Sequence, residues 1–409
     1  MPSFFFGGKK MYLIERNLKI YKYFKFFQNM LILGPIMVPF LIYKGLDYSE
    51  IFLLQSISAI SVFIFEVPTG VVADKISRKF SISMSSIFLI VALLLYVFGM
   101  DFFIFALAEV IFGLGLTMRS GADSAILYES LISLKRKKEY QKIEMEAFSN
   151  IYIGQAVGSI SSSLLYTISP SIPFIISLLF IITSLLTSFY FIENKKHEGN
   201  NNSYFSHIKE GFRVSLHNPR IRWALYASAI IVFCIRISFW LYEPYFKGIG
   251  LDIAWYGTVF FGLNVICAIS ARVFIKKIEN KRQRKIILLL GVILGISFLV
   301  PIIFFNSIGL IFISLGQIAR GLYNPVMNFY INNQLSNKYR ATVISIVSLS
   351  GNISFAIISP FIGSGLDKYG AKSMYLIAGI IALAGTIILL KARIIQKVKS
   401  KKMQLLKQK

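Results

Sequence analysis

A chain of 409 residues that is 56% apolar and only 15% charged is too hydrophobic for a soluble core, since a soluble domain carries roughly 25% charged residues. Its mean hydropathy of +0.66 makes lipid the solvent for much of its surface. A net charge of +25 would suit nucleic acid in a soluble protein, but here Lys and Arg fall in short bands between apolar runs, the pattern of loops beside anionic lipid, which excludes nucleic acid as a partner.

In chain order, the Phe4-Phe5-Phe6 run is too short for a signal peptide, and a basic stretch follows it; Met11 is an alternative start. Apolar segments then recur at about residues 24–43, 51–73, 80–100, 102–119, 147–168, 171–192, 223–243, 254–275, 286–304, 307–331, 341–363 and 373–391. Each is long enough for one helical crossing, and none shows the two-residue alternation of a barrel strand. The expected fold is an all-α membrane protein of twelve transmembrane helices in two pseudo-symmetric six-helix bundles. Its parts are residues 1–192, a cytoplasmic linker at 193–222, and residues 223–409 with a basic tail. Phe205, Ile208, Phe212, Val214 and Leu216 suit a short amphipathic helix in the linker.

The charges orient the chain. Odd-numbered connections hold few basic residues (Lys44, Lys247, Lys368, Lys372), while even-numbered ones hold Lys75, Arg78 and Lys79, then Lys135 to Lys138, then Lys276 to Lys285. Both ends are basic as well, so both termini are expected in the cytoplasm of a multi-pass protein of the cell's inner (plasma) membrane. Cys234 and Cys267 lie in apolar runs, and His197, His207 and His217 lie in the linker. None has metal-ligand spacing. There is no nucleotide-binding loop and no nucleophile-and-base motif, so the reading is a non-enzyme without a cofactor.

Polar groups inside the spans are the candidate site, because each charge at a helix centre costs about 2.5–3.5 kcal/mol on insertion scales. Glu66, Gly70 and Asp74 share a helix face next to Pro68, as a gating joint or an interfacial cap. Glu109 lies deep in the fourth span. Arg119 and Asp123 are four apart and pair along one face if that helix continues, as cavity wall or surface anchor. Arg236, Trp240 and Glu243 share one side of the seventh span, with Glu243 near its outer end where it can snorkel. Arg320 is buried by hydropathy and begins a polar stripe with Asn324, Asn328 and Asn332. Similar stripes run through Tyr152, Gln155, Ser159 and Ser162, and through Ser345, Ser348 and Asn352. Such stripes either line an aqueous path or bind helices together. Gly154 and Gly158, with Gly113 and Gly115, are packing signals.

Gly70-x-x-x-Asp74-x-x-x-Arg78-Lys79 resembles the motif between the second and third spans of the major facilitator superfamily, with Ser77 in place of the usual second glycine. The resemblance covers nearly the whole chain. It implies that Gly70, Asp74, Arg78 and Lys79 form a cytoplasmic gate made and broken during alternating access. The Glu-Val-Pro-Thr-Gly and Arg-Ser-Gly-Ala-Asp-Ser-Ala stretches resemble a bacterial efflux-type branch. Gly363-x-x-x-Asp367 also resembles the motif but falls between spans eleven and twelve. The matching position in the second half, Arg272 to Lys285, is basic without the Gly and Asp, so an asymmetric gate is expected. The fifth span lacks the family's antiporter Gly-Pro pattern.

The expected activity is secondary transport, foremost proton-coupled efflux of a small amphipathic solute as an antiporter. The alternatives are uptake of a metabolite or organic anion by symport or uniport, and a non-transporting receptor or scaffold. The expected partners are a small-molecule substrate, protons and the lipid bilayer; the sequence leaves the oligomeric state open, and a monomer is compatible with it.

Overall fold

The computed structural model describes residues 2–193, 212–213, 215–278, 283–335 and 340–407, and these form helices and turns only. The expected linker helix, His197, His207, Lys281, Arg282 and the side chains of the tail beyond residue 395 lie outside the described residues.

The first half runs α1 (Pro2–Asn29), α2 (Met37–Tyr43), α3 (Tyr48–Lys75), α4 (Arg78–Phe98), α5 (Phe102–Arg119), α6 (Ala122–Ser133), α7 (Tyr140–Ile168) and α8 (Ile172–Ser188). Then come α9 (Pro219–Gly248), α10 (Ile253–Ile278), α11 (Gln283–Ile303), α12 (Gly309–Asn332) and α13 (Arg340–Lys407). Among the described residues, seven helical segments are long and apolar enough to cross a membrane: Tyr48–Lys75, Arg78–Phe98, Phe102–Ser133, Pro219–Gly248, Ile253–Arg272, Gln283–Ile303 and Thr342–Ile395. The fold is therefore all-α and multi-pass.

Local chemistry sets where the helices begin. Asp47 and Glu50 form a reciprocal capping box at α3, with Glu50 N donating to Asp47 Oδ1 at 2.8 Å. Asp101 caps α5 by accepting from Phe103 N and Ile104 N. Asn218 caps α9, where Pro219 fills the first turn at no hydrogen-bond cost. Lys44 Nζ donates to the carbonyls of Val97 and Gly99, closing the C-terminus of α4 with a cation.

Two elements depart from the sequence reading. The span expected at 24–43 is not one helix. α1 ends at Asn29, residues 30–36 form turns through Gly34-Pro35, and only then does α2 start. The helix after Arg119 does not continue either: Gly121 takes φ +75° and starts α6 afresh, so the i,i+4 register between Arg119 and Asp123 is lost. By contrast, the break of α13 at Gly370, whose φ of 73° and ψ of 178° lie outside helical space, falls in the connection expected between the apolar segments 341–363 and 373–391.

The chain divides into two compact units, residues 1–199 with 252–261, and 200–251 with 262–409. In unit 1 a buried cluster of Tyr21, Phe24, Ile82, Ile126, Leu127, Leu131 and Phe191 joins α1, α4, α6 and the end of α8. A Cβ on Gly154 would meet Met30 Sδ at 2.5 Å, and one on Gly158 would collide with Ile32, so these glycines admit the chain after α1 as their spacing suggests. In unit 2 the stretch from Trp240 to Phe246 of α9 is wholly buried.

Candidate functional site

In unit 1 the turn between α3 and α4 gathers charge. Arg78, the first residue of α4, is a cation at the positive end of a helix dipole, so acids must offset it. Its guanidinium pairs with Glu129 of α6, and its Nη2 lies 3.8 Å from Asp74 Oδ1. Asp74 is 55% exposed and Glu129 31%, so water screens the Asp74 pair more and Glu129 is the stronger partner. Glu193, placed in the linker by sequence, instead caps α4. It accepts from Arg78 N at 2.8 Å, Lys79 N at 3.4 Å and the Ser77 hydroxyl at 2.5 Å. The departure at Ser77 has a physical reason, because Ser77 Oγ also accepts from Phe80 N at 3.1 Å and a glycine offers neither bond. Lys79 Nζ donates to Phe189 O at 2.7 Å, and Gly70 sits half-buried one turn before Asp74. Glu66 accepts from Ser120 Oγ at 2.8 Å, linking α3 to the break between α5 and α6. α3 runs unbroken through Pro68, and the Thr69 hydroxyl donates to Phe65 O at 2.7 Å beside it.

Asp123 finds a different partner from the one expected. Lys25 Nζ of α1 lies 2.5 Å from Asp123 Oδ2, with side chains 10% and 4% exposed. Arg119 makes no ion pair among the described residues, and its Nη1 is buried without a hydrogen-bond partner. Tyr21, whose ring lies 5.5 Å from Lys25 Nζ, hydrogen-bonds Glu144, which also accepts from Ser124 Oγ at 3.0 Å. Glu109 is 4% exposed and accepts from Gln55 Nε2 at 2.8 Å and the Tyr96 hydroxyl at 2.5 Å, tying α3, α4 and α5 around one carboxyl group. Outside the spans, hydrogen bonds from Arg136 at 2.6 and 2.7 Å hold the Glu139 carboxyl below the usual carboxylate range.

Unit 2 presents a polar face in the middle of an apolar helix. Arg320 is the twelfth of 24 residues in α12, and it is exposed, correcting the hydropathy reading of a buried side chain. Asn324 and Asn328, one and two turns on, are exposed beside it. The exposed apolar Ile311 is nine residues away, about half a turn around the helix, so the lipid-suited and polar faces are opposite. The Arg320 partners are neutral amides, Gln317 Oε1 at 3.3 Å and Asn264 Oδ1 of α10 at 3.4 Å. Gln317 in turn donates to the Tyr242 hydroxyl of α9 at 2.6 Å. Arg236 donates to Asn352 Oδ1 at 2.7 Å and packs 4.4 Å from the Phe355 ring centre. Glu243 is 7% exposed, inside the unit rather than snorkelling at an outer surface. Of the other stripes, Asn352 serves Arg236, and Ser159 donates to its own helix at Gln155 O. Ser162 is fully buried, and the Tyr152 side chain lies outside the described residues. Among the described residues no cluster of His, Cys, Asp and Glu could hold a metal ion.

Long apolar helices with a charged α3–α4 turn can belong to several membrane families. The family model of the Major Facilitator Superfamily matches residues 23–319 and 284–405. The chain belongs to the Major Facilitator Superfamily. Its members are transport proteins rather than enzymes, so this chain is a secondary transporter by family. A relative, the uncharacterized MFS-type transporter YxaM of Bacillus subtilis (strain 168), is 24% identical over 363 residues, covering 86% of this chain and 89% of its own. Among solved structures, the nucleoside transporter NupG is similar at 15% identity and a TM-score of 0.72, covering 93% of this chain and 98% of its own. A POT family transporter in complex with 5-aminolevulinic acid gives 11% identity and a TM-score of 0.67, covering 93% and 95%. At these identities the structures show the fold, and this superfamily fold places the polar groups of both units within a transporter.

Sequence reasoning missed Lys25, Glu129 and Glu193. Glu193 directly follows an apolar run and Glu129 interrupts one, which are signals of a helix-end partner.

Proposed function

We propose that the chain takes up a small organic metabolite by alternating access, and that the metabolite carries an anionic or strongly accepting group. The observation that carries this is Arg320, exposed at mid-helix and held, among the described residues, by neutral amides, so its positive charge is left for a ligand. The buried Tyr242 hydroxyl holds the Gln317 amide that faces Arg320, which fixes the position of the charge. The nucleoside and 5-aminolevulinic acid named for similar structures are polar metabolites of this general kind. An uncompensated arginine suits such cargo better than a lipophilic cation, so uptake by symport or uniport outweighs the efflux suggested by the branch resemblance.

In this reading the chain crosses the cell's inner membrane twelve times in two six-helix halves, with both termini cytoplasmic, supported by the distribution of Lys and Arg. Arg78, with Glu129, Asp74 and Glu193, forms the cytoplasmic gate. Glu109 and the Lys25–Asp123 pair are the coupling candidates, because a proton on either carboxyl group changes a charge inside a span. The test is transport by purified protein in oriented liposomes across a panel of nucleosides, amino acids, organic anions and lipophilic cations. Inward, saturable flux of an anionic or polar solute that fails in Arg320→Gln supports the proposal. Outward proton-driven flux of lipophilic cations replaces it with efflux.

A further inference from the structure

Unit 2 contains a second basic feature, separate from the Arg320 face. A cavity of about 320 Å³ is lined by Arg220, Gln283, Arg284, Tyr330, Gln334 and Arg393. These residues come from the start of α9, the start of α11, the end of α12 and the late part of α13. No acid lines it.

The arginines are positioned rather than loose. The Arg284 guanidinium lies 4.9 Å from the Trp223 ring centre and 5.2 Å from that of Tyr330. Its Nε donates to the Tyr330 hydroxyl at 2.7 Å, and that hydroxyl donates to Arg220 O at 3.0 Å. Trp223 Nε1 donates to Leu389 O at 3.0 Å, fixing this platform to α13. Arg220 Nη1 is held by Gln334 Oε1 at 2.8 Å. What remains is Arg284 Nη2, buried with no hydrogen-bond partner, and Arg393, with none among the described residues.

Unit 1 shows what normally fills this arrangement. At the corresponding helix ends, Arg78 opens α4, Glu129 lies near the end of α6, and Glu193 follows α8. Those two acids neutralise the arginine and cap the helix. In unit 2, Arg284 stands near the start of α11, but Gln334 and Arg393 occupy the ends where acids stood. Among the described residues, three positive charges then lack an internal counter-charge.

We infer that this cavity binds a phosphate-type oxyanion, supplied by the headgroup of an anionic phospholipid. Guanidinium forks match phosphate oxygens in pairs, and three of them favour an oxyanion over a neutral headgroup. The cavity lies where the apolar segments Pro219–Gly248 and Gln283–Ile303 begin and Thr342–Ile395 ends, the depth of lipid headgroups. The exposed Ile394 and Ile395, next to Arg393, offer apolar surface to acyl chains.

The experiment titrates the purified full-length protein with phosphatidylglycerol or phosphatidylcholine and follows retained lipid by native mass spectrometry, with inorganic phosphate as a competing arm. The expected result is preferential retention of phosphatidylglycerol, weakened about tenfold or more in Arg393→Gln, restored in Arg393→Lys and unchanged in Lys391→Gln. Arg284→Gln is read alongside, with its thermal midpoint as the check on folding, because Arg284 also packs on Trp223. Displacement by millimolar phosphate without any lipid preference keeps the oxyanion site and assigns it a soluble source. Equal retention of both lipids with no phosphate effect, or an undiminished preference in folded Arg393→Gln, overturns the inference.

Discussion

Arg320 and Lys25 are both cations within long helices, yet they are satisfied in opposite ways. Lys25 is closed off by Asp123 at 2.5 Å, while Arg320 is left exposed against amides. Their variants should therefore fail differently. Lys25→Ala leaves an unpaired carboxylate in a buried site and should cost about 3–5 kcal/mol of stability, with Lys25→Met/Asp123→Leu recovering much of it; thermal unfolding in detergent measures both. Arg320→Gln should leave the thermal midpoint nearly unchanged and weaken solute binding by about 10–100-fold, seen as a raised half-saturation of uptake. Glu109→Gln keeps an acceptor for Tyr96 and should fold normally; if Glu109 carries the coupled proton, the variant loses the pH dependence of transport.

At the scale of elements, the apolar runs were legible because a crossing needs about 20 apolar residues whatever its partners. The breaks were less so. Hydropathy does not register the turns at residues 30–36 or the left-handed Gly121, although Gly34-Pro35 and Ser120-Gly121 carry that signal as backbone chemistry. The break at Gly370 was legible, since it falls between the last two apolar runs, and its φ and ψ are nearly closed to other residues. Gly370→Ala should destabilise by about 1–3 kcal/mol, read as a lowered thermal midpoint, without altering solute affinity. The partners of the candidate site were the least legible: Lys25 and Asp123 are 98 residues apart, and Arg78 and Glu193 are 115 apart. One sequence shows which charges sit in lipid but not which of them meet.

For the whole molecule, the gate proposal makes Arg78 the hub and Asp74 a lesser, more exposed contact. Arg78→Gln should slow exchange between inward- and outward-open states more than Asp74→Asn does, with ligand affinity little changed in either. Counterflow at matched protein levels measures the difference. The measurement that tests the central claim most directly is solute uptake by purified protein in oriented liposomes, wild type against Arg320→Gln, with an anionic metabolite panel and a lipophilic-cation panel in parallel. The account predicts saturable inward counterflow of a member of the first panel, lost in the variant while its thermal midpoint is kept. Outward flux confined to the cations, unaffected by Arg320→Gln, would contradict it.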